Sequence, residues 1–424
     1  MKDESAIRNT LAHATEWLEQ LERHIDAHDG CGFDPFDVKE HPLIRAAQPY
    51  PLLRKATSGL CDLFPDASRA VLRIQPQRNP KTFALAALGR LRRSQTTGDC
   101  AHLERAQYFL QWLRNHAEPG YGGLAWGYPF DVHAKGLDTP RGTPIGVVAS
   151  IAGDAFASAY RLTGEAVHRE AVVSIAEHLL RDIPRMPQDD GTLCFAYTPG
   201  DKRRVHNANL HVVAHLLRAH AITNDARFLE CVSPALLFTV KRQRNNGSWP
   251  YGEYDPAEPF EESLLCLVDH YHTGFVLRSL HEILQAMERN VEAARIEPGP
   301  DKTREVLAAG YACYRDHFFA PDGAPVNAYG RYPIDIHACA ESILSPAVLS
   351  ERFPDAHALA ARSLKWAYAH MRNSRDGTVY YRQYPFFTSR LVCMRWGVAW
   401  MYYALAAGCS VVEEMDYARR AIER

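Results

Sequence analysis

Ten cysteines are scattered through the 424 residues, and no two of them are spaced Cys-x-x-Cys. That excludes a zinc ribbon or a dithiol redox motif. Most lie in apolar helical context, as in Leu264-Leu265-Cys266-Leu267, which reads as reduced, buried thiols. The chain also lacks a charge of dominant sign. Lys and Arg number 48 against 50 Asp and Glu, a net charge of −2, with no basic block, so nucleic acid is excluded as a partner. No run of about 18 apolar residues is present, so no transmembrane segment is expected. Met1-Lys2-Asp3-Glu4-Ser5 has no apolar signal core, and the expected location is the cytoplasm.

What is present is a repeat. Residues 4–27 read as an amphipathic helix with Ile7, Leu11, Trp17, Leu18 and Leu21 near helical spacing. A loop from Asp29 to Asp37 and an irregular stretch over 43–78 follow, the latter read as two short helices broken near Pro65. From residue 80 helices come in pairs: 80–96 with 99–117, 143–162 with 166–183, 206–222 with 226–243, 269–287 with 301–319, 334–350 with 355–373, and 390–408 with 411–423. Their first members start near 80, 143, 206, 269, 334 and 390, about 63 residues apart. The first helix of each pair is rich in Ala, Gly, Val and Leu, as in Gly146-Val147-Val148-Ala149-Ser150-Ile151-Ala152, and the second carries more Arg, Glu and His. A helix apolar most of the way round is buried, and an amphipathic one is peripheral. The fold predicted is all-α: an (α/α)6 toroid of six inner and six outer helices, with the long loops at the inner-helix N-termini. One domain is expected over 1–424, with 1–79 an N-terminal outer helix plus an insertion and 80–424 the six repeats. An open α-solenoid is the alternative.

The long loops share one turn. Gly122-Gly123-Leu124-Ala125-Trp126, Asp190-Gly191-Thr192, Asn246-Gly247-Ser248-Trp249, Asp322-Gly323-Ala324 and Asp376-Gly377-Thr378 are its versions. Asp-Gly and Asn-Gly suit the positive φ of tight turns. The plainer reading is a turn that packs its own aromatic.

Gln243-x-x-x-Gly247-x-Trp249 resembles the QW-type repeat of prenyltransferase and squalene-cyclase toroids. The Asp-x-Asp-Asp and Asp-Asp-x-x-Asp motifs of that chemistry do not occur, nor does the Cys…Cys-His zinc set of lanthionine cyclases. A prenyltransferase-like enzyme is therefore the least favoured reading. A second resemblance spans most of 120–400. It is carried by Trp126-Gly127-Tyr128-Pro129-Phe130-Asp131, Gly142-Thr143-Pro144-Ile145-Gly146, Asn246-Gly247-Ser248-Trp249-x-Tyr251-Gly252-Glu253, Asp269-x-Tyr271-His272-Thr273-Gly274 and Tyr332-Pro333-Ile334-Asp335-Ile336-His337. These are similar to an incompletely characterised bacterial family of prenyltransferase-like α/α-toroid proteins found with surface-polysaccharide biosynthesis genes. The resemblance implies a carbohydrate context and no particular reaction. His270 departs from it, standing where Asn is expected.

Read as chemistry, one hexamer occurs twice: Tyr128-Pro129-Phe130-Asp131-Val132-His133 and Tyr332-Pro333-Ile334-Asp335-Ile336-His337. In a ring of six the two copies fall on opposite inner helices, so Asp131, His133, Asp335 and His337 are candidate catalytic residues. Helix capping is the competing role for both aspartates. Asp269 and His272, three apart at a helix start, share a face, whereas His270 points elsewhere and reads as structural. Glu253, in the loop before, completes the catalytic candidates, with Asp255 beside it. Trp126, Tyr128, Tyr197, Trp249, Tyr251, Tyr332 and Tyr381 fall in the loops, where flat rings suit the apolar face of a sugar. Asn207 is a candidate partner for a ligand hydroxyl, and Arg382 and Arg395 for a carboxylate or phosphate, a salt bridge being their other reading. His211 and His215 stand i, i+4, but no nearby carboxylate completes a metal set. No metal and no cofactor are expected.

The function read is a carbohydrate-active enzyme of surface-polysaccharide metabolism. It is either glycoside hydrolase-like, with two carboxylates, or sugar epimerase-like, with acid/base groups about the ring. Its ligand would be a sugar, oligosaccharide or nucleotide sugar. The alternative is a non-catalytic glycan-binding or scaffold protein, distinguished by whether two titratable groups converge on one reacting atom.

Overall fold

The computed structural model describes residues 2–47, 49–134, 137–258, 260–327 and 330–422; for 2–8, 133, 134, 137, 138 and 415–422 it describes the backbone alone. Helices dominate, and the strands are segments of two or three residues, in two-stranded ribbons and one three-stranded ribbon, that tie loops together. Two compact units emerge, one of residues 1–102, 129–133 and 319–424, the other of 103–128 and 134–318.

In the first unit the Pro80–Thr97 helix is buried continuously from Pro80 to Leu91. Asn79 caps it, its side chain accepting from Lys81 N at 3.0 Å, Pro80 fills the first turn, and Gly98 at φ 70° ends it. Asn79→Ala is expected to cost about 1 kcal/mol, read as a shift of the urea midpoint at constant slope.

The Trp400–Ile422 helix packs against Pro80–Thr97, Ile336–Leu349 and the N-terminal Lys2–Ala27. The Lys2–Ala27 helix buries Ala14, Trp17, Leu18, Leu21 and Ile25. Its Glu22 accepts from Arg90 at 2.8 Å and from the Tyr402 hydroxyl at 2.9 Å, and Trp17 Nε1 donates to Gly377 O at 3.0 Å. The sixth pair differs from expectation. Instead of helices at 390–408 and 411–423, a π-helical turn Met394–Ala399 runs into one unbroken helix, Trp400–Ile422. Gly408, the last residue of the expected 390–408 helix, is an interior position. A Cβ there would stand 2.8 Å from Ile343 Cγ2, so glycine serves close packing rather than a turn. Lys2–Ala27 occupies the peripheral place beside this helix.

Over 43–78 the structure has three helices, Pro42–Ala47, Pro51–Leu63 and Pro65–Val71, rather than two. Each opens on a proline, whose fixed φ suits a first helical turn.

In the second unit Gly146–Thr163, His206–Thr223 and His270–Arg289 are the buried helices, and Ala166–Arg181, Val232–Lys241 and Pro300–His317 lie outside them. Arg218, on the middle buried helix, ion-pairs with Glu282 and lies 3.7 Å from Asp154, joining all three. The outer helix expected over 226–243 is split into a 3-10 turn, Ala226–Leu229, and Val232–Lys241. Pro234 accounts for the restart, because proline is tolerated in a first turn and not in a helix interior.

All ten cysteines are free. Seven are buried, but Cys266 is exposed, because the helix before it is the single turn Glu262–Leu265.

Candidate functional site

The second unit gathers Asp269, His272, Tyr251, Glu253 and Tyr197. Asp269 is the N-cap of His270–Arg289: its Oδ1 accepts from His272 N at 2.9 Å. Its Oδ2 lies 2.7 Å from His272 Nδ1. One carboxylate thus starts the helix and holds the imidazole of its first turn. Nδ1 is committed to Asp269, which makes Nε2 the nitrogen a ligand would meet. The His272 side chain is 20% exposed, while Asp269 is buried. Tyr251 and Tyr271 lie close to it, 4.2 and 4.3 Å from the imidazole by ring centroids. His270, one residue away, is fully buried beside the Tyr314 hydroxyl at 3.3 Å, as its structural reading requires.

The neighbouring loop is positioned by strands. Arg204–Val205 pairs antiparallel with Gly252–Glu253, Arg204 opposite Glu253. His206 follows directly, and its Nε2 meets Glu253 Oε1 at 3.0 Å. Burial pushes the Glu253 carboxyl up, but the His206 hydrogen bond and the nearby Arg242 and Arg204 outweigh it and leave it below the usual carboxylate range. Burial lowers the His206 imidazole. Arg204 pairs with Asp255 at 2.8 Å. Asn207, beside His206, is buried with its Oδ1 lacking a hydrogen-bond partner.

Asp201 and Arg203, two residues apart and not singled out from the sequence, form a buried ion pair in which two guanidinium donors share Asp201 Oδ2. Arg203 Nε donates to Asp201 Oδ2 at 2.8 Å, and its guanidinium lies 4.8 Å from the Tyr197 ring centroid. The buried Tyr251 hydroxyl is pushed up to about 12, by burial first and then by Asp201 and Asp269 against the opposing Arg203.

In the first unit a three-stranded ribbon sets Arg382 opposite Asp335. Asp335 caps the Ile336–Leu349 helix through His337 N at 2.9 Å. Its side chain also accepts from Arg382 Nε and Trp396 Nε1, each at 2.7 Å. His337 is buried with its ring 4.4 Å from that of Trp396. Tyr381 is buried beneath Arg382 at 4.5 Å, and Tyr332 is exposed. Arg395 is buried in a bidentate pair with Asp34, at 2.6 and 2.9 Å, which is its salt-bridge reading. Asp131 is half-buried, and its backbone N–H donates to Glu40 Oε1 at 2.6 Å. The side chain of His133 lies outside the described residues.

Trp126 and Trp249 are enclosed. Their indole N–H groups donate to Leu113 O at 3.0 Å and Thr239 O at 2.9 Å, while Tyr128 is half-buried. Gln243 Nε2 bonds Gly247 O and Val306 O, and Gly247 sits at φ 84° with Ala309 O where a Cβ would go. The Gln…Gly…Trp motif is a staple between turn and helix. His211 and His215 are buried on the His206–Thr223 helix, and His215 Nε2 meets Val172 O at 3.1 Å. Among the described residues no three or more of His, Cys, Asp and Glu are grouped to hold a metal.

No family model matches the sequence, and no curated protein matches it. The likeness is to solved structures. Cellobiose 2-epimerase from Bacillus thermoamylovorans superposes with a TM-score of 0.60 at 11% identity, covering 80% of this chain and 88% of that one. A D-mannose isomerase gives 0.53 at 13%, covering 80% and 88%. The GH76 α-mannanase of Bacteroides thetaiotaomicron gives 0.57 at 14%, covering 81% and 86%. The fold is thereby the all-α, α/α toroid that sugar epimerases and glycoside hydrolases share. At these identities the likeness fixes the fold alone.

Proposed function

We propose that this chain is a sugar-processing enzyme that moves a proton on an open-chain sugar, an epimerase or isomerase, with His272 as its acid/base group and Asp269 orienting it. The observation that carries this reading is the Asp269–His272 contact at 2.7 Å, with the imidazole partly open and two tyrosine rings close to it. A carboxylate on Nδ1 fixes the tautomer in which Nε2 is the base. Nε2 takes the proton from the carbon next to the carbonyl, leaving an enediolate whose charge is on the former carbonyl oxygen. Returning that proton to the former carbonyl carbon, while the hydroxyl proton of the adjacent carbon passes to the charged oxygen, converts aldose to ketose. Returning a proton instead to the carbon that lost it, from the opposite face, re-forms the carbonyl and inverts that carbon, which requires a second acid. Tyr251 and Tyr271 would cover the apolar face of the sugar, and Asn207, Arg203 and Glu253 stand on the same unit for its hydroxyls.

A glycosidase needs one carboxyl kept protonated to act as acid. Glu253 is shifted the other way and does not fit that role. A cytoplasmic setting in surface-polysaccharide metabolism, and a free sugar or nucleotide sugar as ligand, belong to the same proposal.

The test is deuterium exchange. Incubation with aldoses in D2O should label the carbon beside the carbonyl, and His272→Ala should abolish the labelling. Glycan binding without any exchange or turnover would make this a binding protein instead. Exchange is also expected to survive exhaustive chelation; loss restored by zinc or manganese would overturn the metal-free mechanism.

A further inference from the structure

The Pro51–Leu63 helix is docked the wrong way round for a soluble helix. At 100° per residue, Leu52, Ala56, Leu60 and Leu63 with Leu53 fill one arc of about 120°. That arc faces solvent: Leu52 is 83% exposed, Leu60 57%, Leu53 54% and Leu63 49%. The helix meets the protein through a narrow contact, with Cys61 buried and Asp62 accepting from the Tyr384 hydroxyl, while Arg54 and Ser58 are exposed. The same helix packs on the Thr388–Ser389 strand, and Tyr384, which Asp62 holds, stacks on Phe387 at 4.4 Å. Phe386, between them, is 98% exposed, so the apolar face continues onto this loop.

The exposed charge around the face is mostly positive. From Pro42 to Arg73 the exposed charged residues are Arg45, Arg54, Lys55 and Arg73 against Asp66, on a chain whose net charge is −2. A second copy meeting this face symmetrically would bring those cations against each other. An apolar phase bounded by anions satisfies both halves of the pattern, and exposed Leu and Phe flanked by Lys and Arg are the composition of interfacial helices. We propose that the face built by Pro42–Ala47, Pro51–Leu63 and Pro65–Val71 rests on the surface of an anionic phospholipid bilayer. It lies on the surface and does not cross, since no helix among the described residues is long and apolar enough to span. The inference is independent of the reaction assigned to His272.

The experiment is co-flotation of the full chain with vesicles. Vesicles of phosphatidylcholine with phosphatidylglycerol should carry the protein, those of phosphatidylcholine alone should not, and raised salt should weaken the association. Arg54→Glu with Lys55→Glu should lower the vesicle partition coefficient roughly 25-fold or more, two cations each being worth about five-fold. Leu52→Ser, Leu60→Ser and Leu63→Ser together should abolish flotation. All these positions are exposed, so the melting temperature should hold, and it is measured alongside. Absence of flotation with the anionic vesicles, or flotation unchanged in the leucine variant, would overturn the proposal. So would a concentration-dependent dimer that the leucine variant dissolves, since the face would then be an interface between copies of the chain.

Discussion

His272→Ala is expected to lower turnover by about 10²–10⁴-fold, the range for removing a general acid or base, with little change in melting temperature. The side chain is partly open, and its one described hydrogen bond is to Asp269. Asp269→Asn is the sharper variant. Asparagine is as good an N-cap as aspartate, so the helix start survives and stability should stay within about 1 kcal/mol. The amide N–H2 would then face Nδ1 and make it the acceptor, moving the proton to Nε2 and removing the base. Turnover should fall nearly as far as in His272→Ala, and the double variant should be no worse than either single one. If Asp269→Asn melts early while turnover is intact, Asp269 is only a cap. If His272→Ala retains exchange, the acid/base assignment is wrong.

This dyad was legible because it is local. A capping acid and a residue three positions on are neighbours at any helix start, so Asp269, His272 and the inward-turned His270 follow from spacing. The helix pairs were legible for the same reason, since periodicity and turn chemistry act over a few residues. The misreadings have local causes too. The expected break after Gly408 is absent, that glycine lying inside the helix against Ile343, and Pro234 marks a restart inside an apparently continuous run.

What the sequence hid was pairing at a distance. Arg204 meets Glu253 through a two-residue ribbon, and that ribbon hands Glu253 to His206. Asp34 and Arg395 are 361 residues apart and fully engaged with each other. Nothing near either residue distinguishes a structural ion pair from a ligand clamp. The aromatic turns posed the same ambiguity. Trp126 and Trp249 carry the ring and the N–H that a sugar site would use, yet both N–H groups end on backbone carbonyls in the interior.

The same interior should make the protein acid-sensitive. His215 and His270 are fully buried. His215 is lowered to about 3 by burial and then by Arg218, and His270 to about 3 by burial against the opposing Asp269. His215 has no room to move, since a Cβ on Gly153 would stand 2.1 Å from its ring. Both folded values lie below the unfolded value of 6.5, so the unfolded chain binds the extra protons. Stability is then complete above pH 6.5 and falls as pH drops toward 3. Each histidine removes about 1.4 kcal/mol per pH unit in that window, or about 4 kcal/mol for the two at pH 5. That is a large part of an ordinary total of about 5–15 kcal/mol. His168, His178 and His206 shift in the same direction and steepen the fall. Glu253, lowered from 4.5, loses its contribution only below that value and leaves the range from pH 7 to 5 alone. Urea unfolding at pH 7, 6 and 5 measures the slope, and His270→Phe should reduce it by about one proton. A free energy flat from pH 7 to 5, or a slope untouched by His270→Phe, would show that these imidazoles are not held neutral by the fold.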